Sequence, residues 1–231
     1  MEQEKYYDEG EKFYIEGNYE CALNSFKKCN FIEKDRTCSN YIGCCYLELN
    51  DLENAAKTFE YLIETFPDWE RPIMNLGRVY LKKNMLPEAL ECFRKAEIIN
   101  PDEEDVYFYL GLYFYKIGDY QSAIKNYEKS LNINNFQSEA QLNLGICYSK
   151  LGMQKEALSR IEFAYRMDNK SIDALFNKGM ILLSMKEYKR ALEVFIELNR
   201  LEQEWIKRIL LIAPKSEQAN KPNKILEDIR R

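Results

Sequence analysis

The chain has 231 residues, 46% hydrophobic and 31% charged, with a formal net charge of -5 and no histidine. This composition excludes a disordered or fibrous chain, and the acidic balance removes the basic face on which phosphate-backbone binding depends, so no nucleic-acid partner is expected. The opening stretch MEQEKYYDEGEKF lacks a leader pattern and no apolar run approaches the roughly 20 residues of a membrane span, which together predict a cytoplasmic location without a membrane span.

Along the chain, six of the nine glycines recur at intervals of 33 or 34 residues: Gly10, Gly43, Gly77, Gly111, Gly145 and Gly179. Twelve residues after each comes an alanine (Ala22, Ala55, Ala89, Ala123, Ala157, Ala191). Three residues past each glycine stands a large apolar side chain (Phe13, Tyr46, Tyr80, Phe114, Tyr148, Leu182), and sixteen past it another (Phe26, Phe59, Phe93, Tyr127, Ile161, Phe195). A period of this length marks stacked supersecondary units. They run about 3–35, 36–69, 70–103, 104–137, 138–171 and 172–205.

Each unit resolves into two helices. In IMNLGRVYLKKNMLPEALECFRKAEIINP the apolar residues Ile73, Leu76 and Tyr80 keep steps of three and four, KKNM interrupts, and Leu86, Leu90, Phe93 and Ala96 resume the step. The corresponding interruptions EGNY, LNDL, KNML, IGDY, LGMQ and MKEY mostly bring Gly or Asn to a helix C-terminus. Pro67 and Pro101 close second helices, while Pro72 and Pro87 suit first turns. Small residues at the Gly and Ala positions let two helices cross closely, and the rings beside them fill the gap. Beyond the sixth unit, LEQEWIKRILLIA (201–213) predicts a helix covering the array's flank through Leu201, Trp205, Ile209 and Ile212, and 214–231 is a polar basic tail.

A 34-residue helical hairpin with this Gly, Tyr, Ala, Phe and Pro pattern resembles the tetratricopeptide repeat (TPR) family. The resemblance implies an all-α fold, a right-handed α-α superhelix of six hairpins with a capping helix over residues 1–213, whose first helices line a concave groove for a peptide or an amphipathic helix. Applying the groove offsets to this chain selects Met74, Asn75, Arg78 and Lys82 in the third unit. It selects Phe108, Tyr109, Leu112, Tyr115 and Lys116 in the fourth, Asn143, Ile146 and Lys150 in the fifth, and Phe176, Asn177 and Met180 in the sixth. The surface so drawn has an apolar floor and a basic edge, which suits a partner with apolar anchors and acidic residues. Asn75, Asn143 and Asn177 share one repeat position, and in related superhelical grooves such amides hold peptide backbone. The bland alternative, rings packing only against neighbouring first helices and Asn serving inter-repeat contacts, stands beside this reading. The residues following the repeat glycines (Glu11, Cys44, Arg78, Leu112, Ile146, Met180) do not supply the carboxylate clamp of TPR co-chaperones, so binding of chaperone tails is not expected.

No catalytic constellation emerges: the usual neutral-pH base is missing, Gly-rich phosphate loops are absent, and the carboxylates fall at helix starts. Neither enzymatic activity, a cofactor nor a metal is expected. The seven Cys are odd in number and form no CxxC pair, which reads as reduced thiols, most of them packed. The function expected is a non-catalytic scaffold or adaptor for a protein or peptide ligand. The alternative is a self-assembling TPR scaffold, a homo-oligomer in which the tail or cap of one copy enters a neighbour's groove.

Overall fold

A computed structural model describes residues 2–32 and 35–201. Among the described residues there are twelve helices and no strand. They are α1 (Glu2–Ile15), α2 (Tyr19–Ile32), α3 (Arg36–Glu48), α4 (Leu52–Thr65), α5 (Glu70–Lys82), α6 (Leu86–Ile99), α7 (Glu104–Lys116), α8 (Tyr120–Ile133), α9 (Ser138–Lys150), α10 (Gln154–Met167), α11 (Ile172–Ser184) and α12 (Tyr188–Leu201). Two helices thus fall in each 34-residue unit, in the places the periodicity marks. The expected capping helix and the tail from residue 214 lie outside the described residues. No described helix is long and apolar enough to cross a membrane.

The chain divides into two compact units, one ending at Ile117 and the next beginning at Gly118, a division of which the periodicity carries no mark. In the first, α1 packs on α2, α3 on α4 and α5 on α6, and each second helix meets the first helix that follows; α3, α5 and α7 also touch in succession. In the second, α9 packs on α10 and α11 on α12, with α8 against α9, α10 against α11, and contact between α9 and α11.

The close crossings are where the small residues stand. The six repeat alanines are fully buried. A Cβ built on Gly43 would lie 2.5 Å from the Phe59 ring, one on Gly77 2.6 Å from Phe93, and one on Gly145 2.6 Å from Ile161. In each case the obstructing residue is the one sixteen positions on, so the paired spacing in the sequence is a contact in the hairpin. Around these crossings the core gathers in clusters: Ala22, Phe26, Cys29, Cys38, Ile42 and Cys45 in one, Leu47, Phe59, Leu62, Phe93, Tyr107 and Leu110 in a second, and Ile161, Leu175, Leu182, Phe195 and Leu198 in a third.

The hairpin turns share one device. Gly17, Asn50, Asn84, Gly118, Gly152 and Lys186, each seven residues past a repeat glycine, adopt φ of 76°, 61°, 60°, 82°, 78° and 63°. The left-handed residue reverses the chain so that an amide just beyond it bonds back to the residue three past the repeat glycine. Asn18 N donates to Phe13 O at 2.9 Å, Asp51 N to Tyr46 O at 2.8 Å and Met85 N to Tyr80 O at 2.9 Å. Asp51 and Asp119, one residue past the left-handed position, then cap the next helix by accepting from the amides of Asn54 and Ser122, and between hairpins Ser171 caps α11 by accepting from the amide of Ala174. Only Lys186 lacks the small or amide side chain that makes this conformation easy.

One expectation is corrected. Cys29 in α2 and Cys38 in α3 form a disulfide, with Cα atoms 6.6 Å apart across the link between the first two hairpins. Nine residues of separation match no short motif; the pair meets only because both side chains occupy buried positions where successive hairpins stack. Cys21 is an exposed free thiol, and Cys44, Cys45, Cys92 and Cys147 are free and buried.

Candidate functional site

Helical periodicity puts the expected contact residues on the face of each first helix away from its own second helix. Whether they are presented to a partner depends on how tightly adjacent first helices close. Between α3 and α5 and between α5 and α7 they close completely over three of them. Met74, Asn75 and Phe108 are 4%, 3% and 7% exposed, so their expected place on an accessible surface is corrected to the layer beneath it.

The asparagine shows what this layer does. Asn75 Nδ2 donates to Asn40 Oδ1 at 3.0 Å, and its Oδ1 accepts from Arg78 Nη1 at 3.0 Å. The nitrogen of the amide is therefore used between repeats and its oxygen within α5, so this buried amide does not face a partner. Arg78 in turn donates through Nη2 to Glu48 Oε1 at 2.8 Å, and its guanidinium lies 4.9 Å from the centre of the Tyr109 ring. Tyr109 stacks with Phe93 at 6.0 Å and meets Phe108 edge-on at 5.2 Å. The basic edge is likewise engaged: Lys82 Nζ donates to Leu47 O at 2.9 Å and Lys116 Nζ to Leu81 O at 2.8 Å. Each lysine bonds a carbonyl at the C-terminal end of the preceding first helix, where the helix dipole is negative. Leu112 and Tyr115 remain half-buried on the α7 face.

At the start of the first unit, rings of α1, α2 and α3 pack together. Tyr41 stacks on Phe26 at 4.6 Å, stands edge-on to Tyr7 and Tyr14, and donates its hydroxyl to Glu11 Oε1 at 3.3 Å. Burial first, and the nearby Tyr7 and Glu11 next, raise its pKa well above the ordinary phenol value. Burial likewise pushes the Cys44 thiol, beneath Asn40 and Asn75, up to about 11.

The second unit is more open. Ile146 and Asn143 of α9 and Phe176, Asn177 and Met180 of α11 are half-buried, and Lys150 is exposed. Asn177 Nδ2 donates to Asp173 O at 2.8 Å. Asn143, Ile146 and Asn177 line one cavity of about 460 Å³ between α9, the end of α10 and α11. Leu142 and Ala164, 9% and 2% exposed, form its floor with Ile146; Ser138, Ser171 and the two Asn amides form its walls; Glu139, Asp168 and Asp173 stand at its mouth. The groove offsets reach six of these residues, Glu139, Leu142, Asn143, Ile146, Asp173 and Asn177. Asp168 and Ser171 lie in the loop DNKS between α10 and α11, outside those offsets.

A second cavity, of about 370 Å³, lies between α2, α3 and α4 and is lined by Lys27, Ser39, Tyr46, Lys57 and Tyr61 among others, none of them an expected contact residue. Among the described residues no group of His, Cys, Asp or Glu is placed to hold a metal ion.

Family models described as tetratricopeptide repeat match residues 41–68, 104–135 and 172–204, and one described as TPR repeat matches 77–118. No curated protein matches the chain by sequence. Several solved structures share the fold. TTC0263, a thermophilic TPR protein of Thermus thermophilus, is 21% identical with a TM-score of 0.72, over 78% of this chain and 99% of its own. YrrB, described as a TPR protein with an unusual peptide-binding site, is 24% identical with a TM-score of 0.58, over 79% and 94%. A chain of the APC/C hetero-tetramer Cut9-Hcn1 is 14% identical with a TM-score of 0.80, and matches all of this chain over 43% of its own length.

Proposed function

We propose, for a chain that belongs to the tetratricopeptide repeat family, a non-catalytic role as an interaction scaffold that receives a protein or peptide segment on its first-helix faces. The observation that carries this reading is the cavity between α9 and α11. It sets an apolar floor (Leu142, Ile146, Ala164) beneath amides and hydroxyls, the combination that takes an apolar side chain while hydrogen bonding the backbone that bears it. The half-buried Phe176 and Met180 of α11 supply further apolar contact of the same kind, and within the first unit the half-buried Leu112 and Tyr115 of α7 offer an apolar face of their own. The fold-sharing protein YrrB, whose description names a peptide-binding site, supports a peptide as the type of ligand. Asn143 rather than Asn75 is the amide suited to hold backbone, because Asn75 is closed into the inter-repeat layer.

The test is affinity purification of partners with the tagged wild type against a Tyr115→Ser, Ile146→Ser double variant. Both residues are half-buried, so the variant should melt within a few degrees of the wild type while losing the captured proteins. An unchanged set of partners on a folded variant refutes the reading.

A further inference from the structure

The groove offsets draw a basic edge and hence an acidic partner; the structure reverses the sign. Three cations of that edge are engaged within the array, Arg78 with Glu48 and Tyr109, Lys82 and Lys116 with helix-end carbonyls, while the exposed Lys150 of α9 does not line the cavity considered next. The cavity of the second unit, by contrast, has Glu139, Asp168 and Asp173 among its lining residues and no Lys or Arg. Lys170, the cation of the adjoining loop, is not among them; its backbone amide donates to Asp168 Oδ1 at 3.0 Å. Asp173 stands in the first turn of α11, so part of its charge answers the helix dipole. A helix N-terminus carries roughly half a positive charge. Against the two aspartates alone, that terminus leaves an excess of about one and a half negative charges beside an apolar floor.

We infer that this cavity takes a basic segment, in which an apolar side chain enters toward Leu142, Ile146 and Ala164 and a neighbouring Lys or Arg lies against Asp168 and Asp173. The inference rests on the interaction reading above and adds the charge of the partner. An acidic segment would bring like charge against the mouth, while an uncharged one would leave the two aspartates without a role in recognition. Arg fits better than Lys, since its planar fork can donate to two carboxylate oxygens at once.

The probes are two fluorescein-labelled ten-residue peptides, one alternating leucine and arginine, the other leucine and glutamate, titrated by anisotropy against the full chain. The Leu-Arg peptide should bind and the Leu-Glu peptide should not. Asp168→Asn with Asp173→Asn should weaken Leu-Arg binding about tenfold, the sum of two partly exposed ion pairs. The Asn side chains keep an acceptor for the Lys170 amide, and an unchanged melting temperature confirms the fold. Ile146→Ser should weaken binding independently, which separates a seated segment from loose attraction to acidic protein. Equal or stronger binding of the Leu-Glu peptide, or Leu-Arg binding untouched by the two Asn substitutions but lost in Ile146→Ser, overturns the basic partner and leaves the scaffold reading standing. Binding lost with the carboxylates but indifferent to Ile146→Ser overturns the cavity as the seat of the segment.

Discussion

Gly43→Ala tests the packing argument on which the repeats rest. The added Cβ would lie 2.5, 2.7 and 3.0 Å from three carbons of the Phe59 ring, against ordinary contacts of about 3.5 to 4.0 Å, so ring and helix must part by about 1 Å. Phe59 is fully buried and has no room to yield. Overpacking of this kind costs about 1 to 3 kcal/mol. Replacing a mid-helix glycine by alanine returns about 1 kcal/mol of helix propensity. With the displacement this large the upper half of the cost applies, and the net loss is about 1 to 2 kcal/mol, or about 2 to 8 °C in melting temperature for a domain of this size. Gly10 provides the comparison: its Cβ would meet the Phe26 ring at 2.9 to 3.0 Å, a smaller push, and Gly10→Ala should be close to neutral. The assay is thermal and urea unfolding of Gly43→Ala, Phe59→Leu and the double variant, followed by circular dichroism. Leucine removes the ring edge, so the double variant should be at least about 1 kcal/mol more stable than the two single losses added together. A Gly43→Ala protein as stable as the wild type, or strictly additive losses, would refute the reasoning.

Arg78→Met should destabilise by about 2 kcal/mol because Glu48 and the Asn75 carbonyl lose their charged donor, whereas Glu48→Gln, which keeps an acceptor, should cost less; urea midpoints decide between them. Lys186→Gly should stabilise by about 0.5 to 1 kcal/mol, since Lys186 holds a left-handed φ of 63° without an amide or glycine side chain, and a fall in melting temperature would contradict that account. Thiol labelling at pH 8 should reach one cysteine in the native protein, Cys21, five after unfolding without reductant, and seven after unfolding with it. Burial pushes Cys44 and Cys92 up to about 11 and Cys45 and Cys147 up to about 12, from an ordinary value near 9. A raised folded-state pKa means the native thiols hold protons that the unfolded ones release, so their contribution is full below about pH 9 and is lost between about pH 9 and 12. Melting temperature measured from pH 7 to 11 should therefore fall above about pH 9, and a flat profile would count against the buried, protonated thiols.

The period of 34 residues was enough to place twelve helices, six turns and the glycine-to-ring pairs, because each of these is a contact within about twenty residues of chain and repeats identically. Even EDVYFYLGLYFYK, which by composition favours a strand, is helix α7, since the repeat glycine and its neighbours demand close helix packing there. What the sequence could not determine is how far adjacent first helices close upon one another. Asn75 and Asn143 occupy the same repeat position, yet one is sealed into a bond with Asn40 and the other lines an open cavity. Likewise Lys82 and Lys116 count as partner-seeking charges until the carbonyls of the preceding repeat are seen beside them. Cys29 and Cys38 stand nine residues apart without a motif, and only stacking brings them together. The periodic pattern by itself therefore determined which side chains share a face. The tertiary structure alone decided which of them are used up between repeats, because the hydrogen bonds that engage Asn75, Lys82 and Lys116 there join residues 35 apart in the chain.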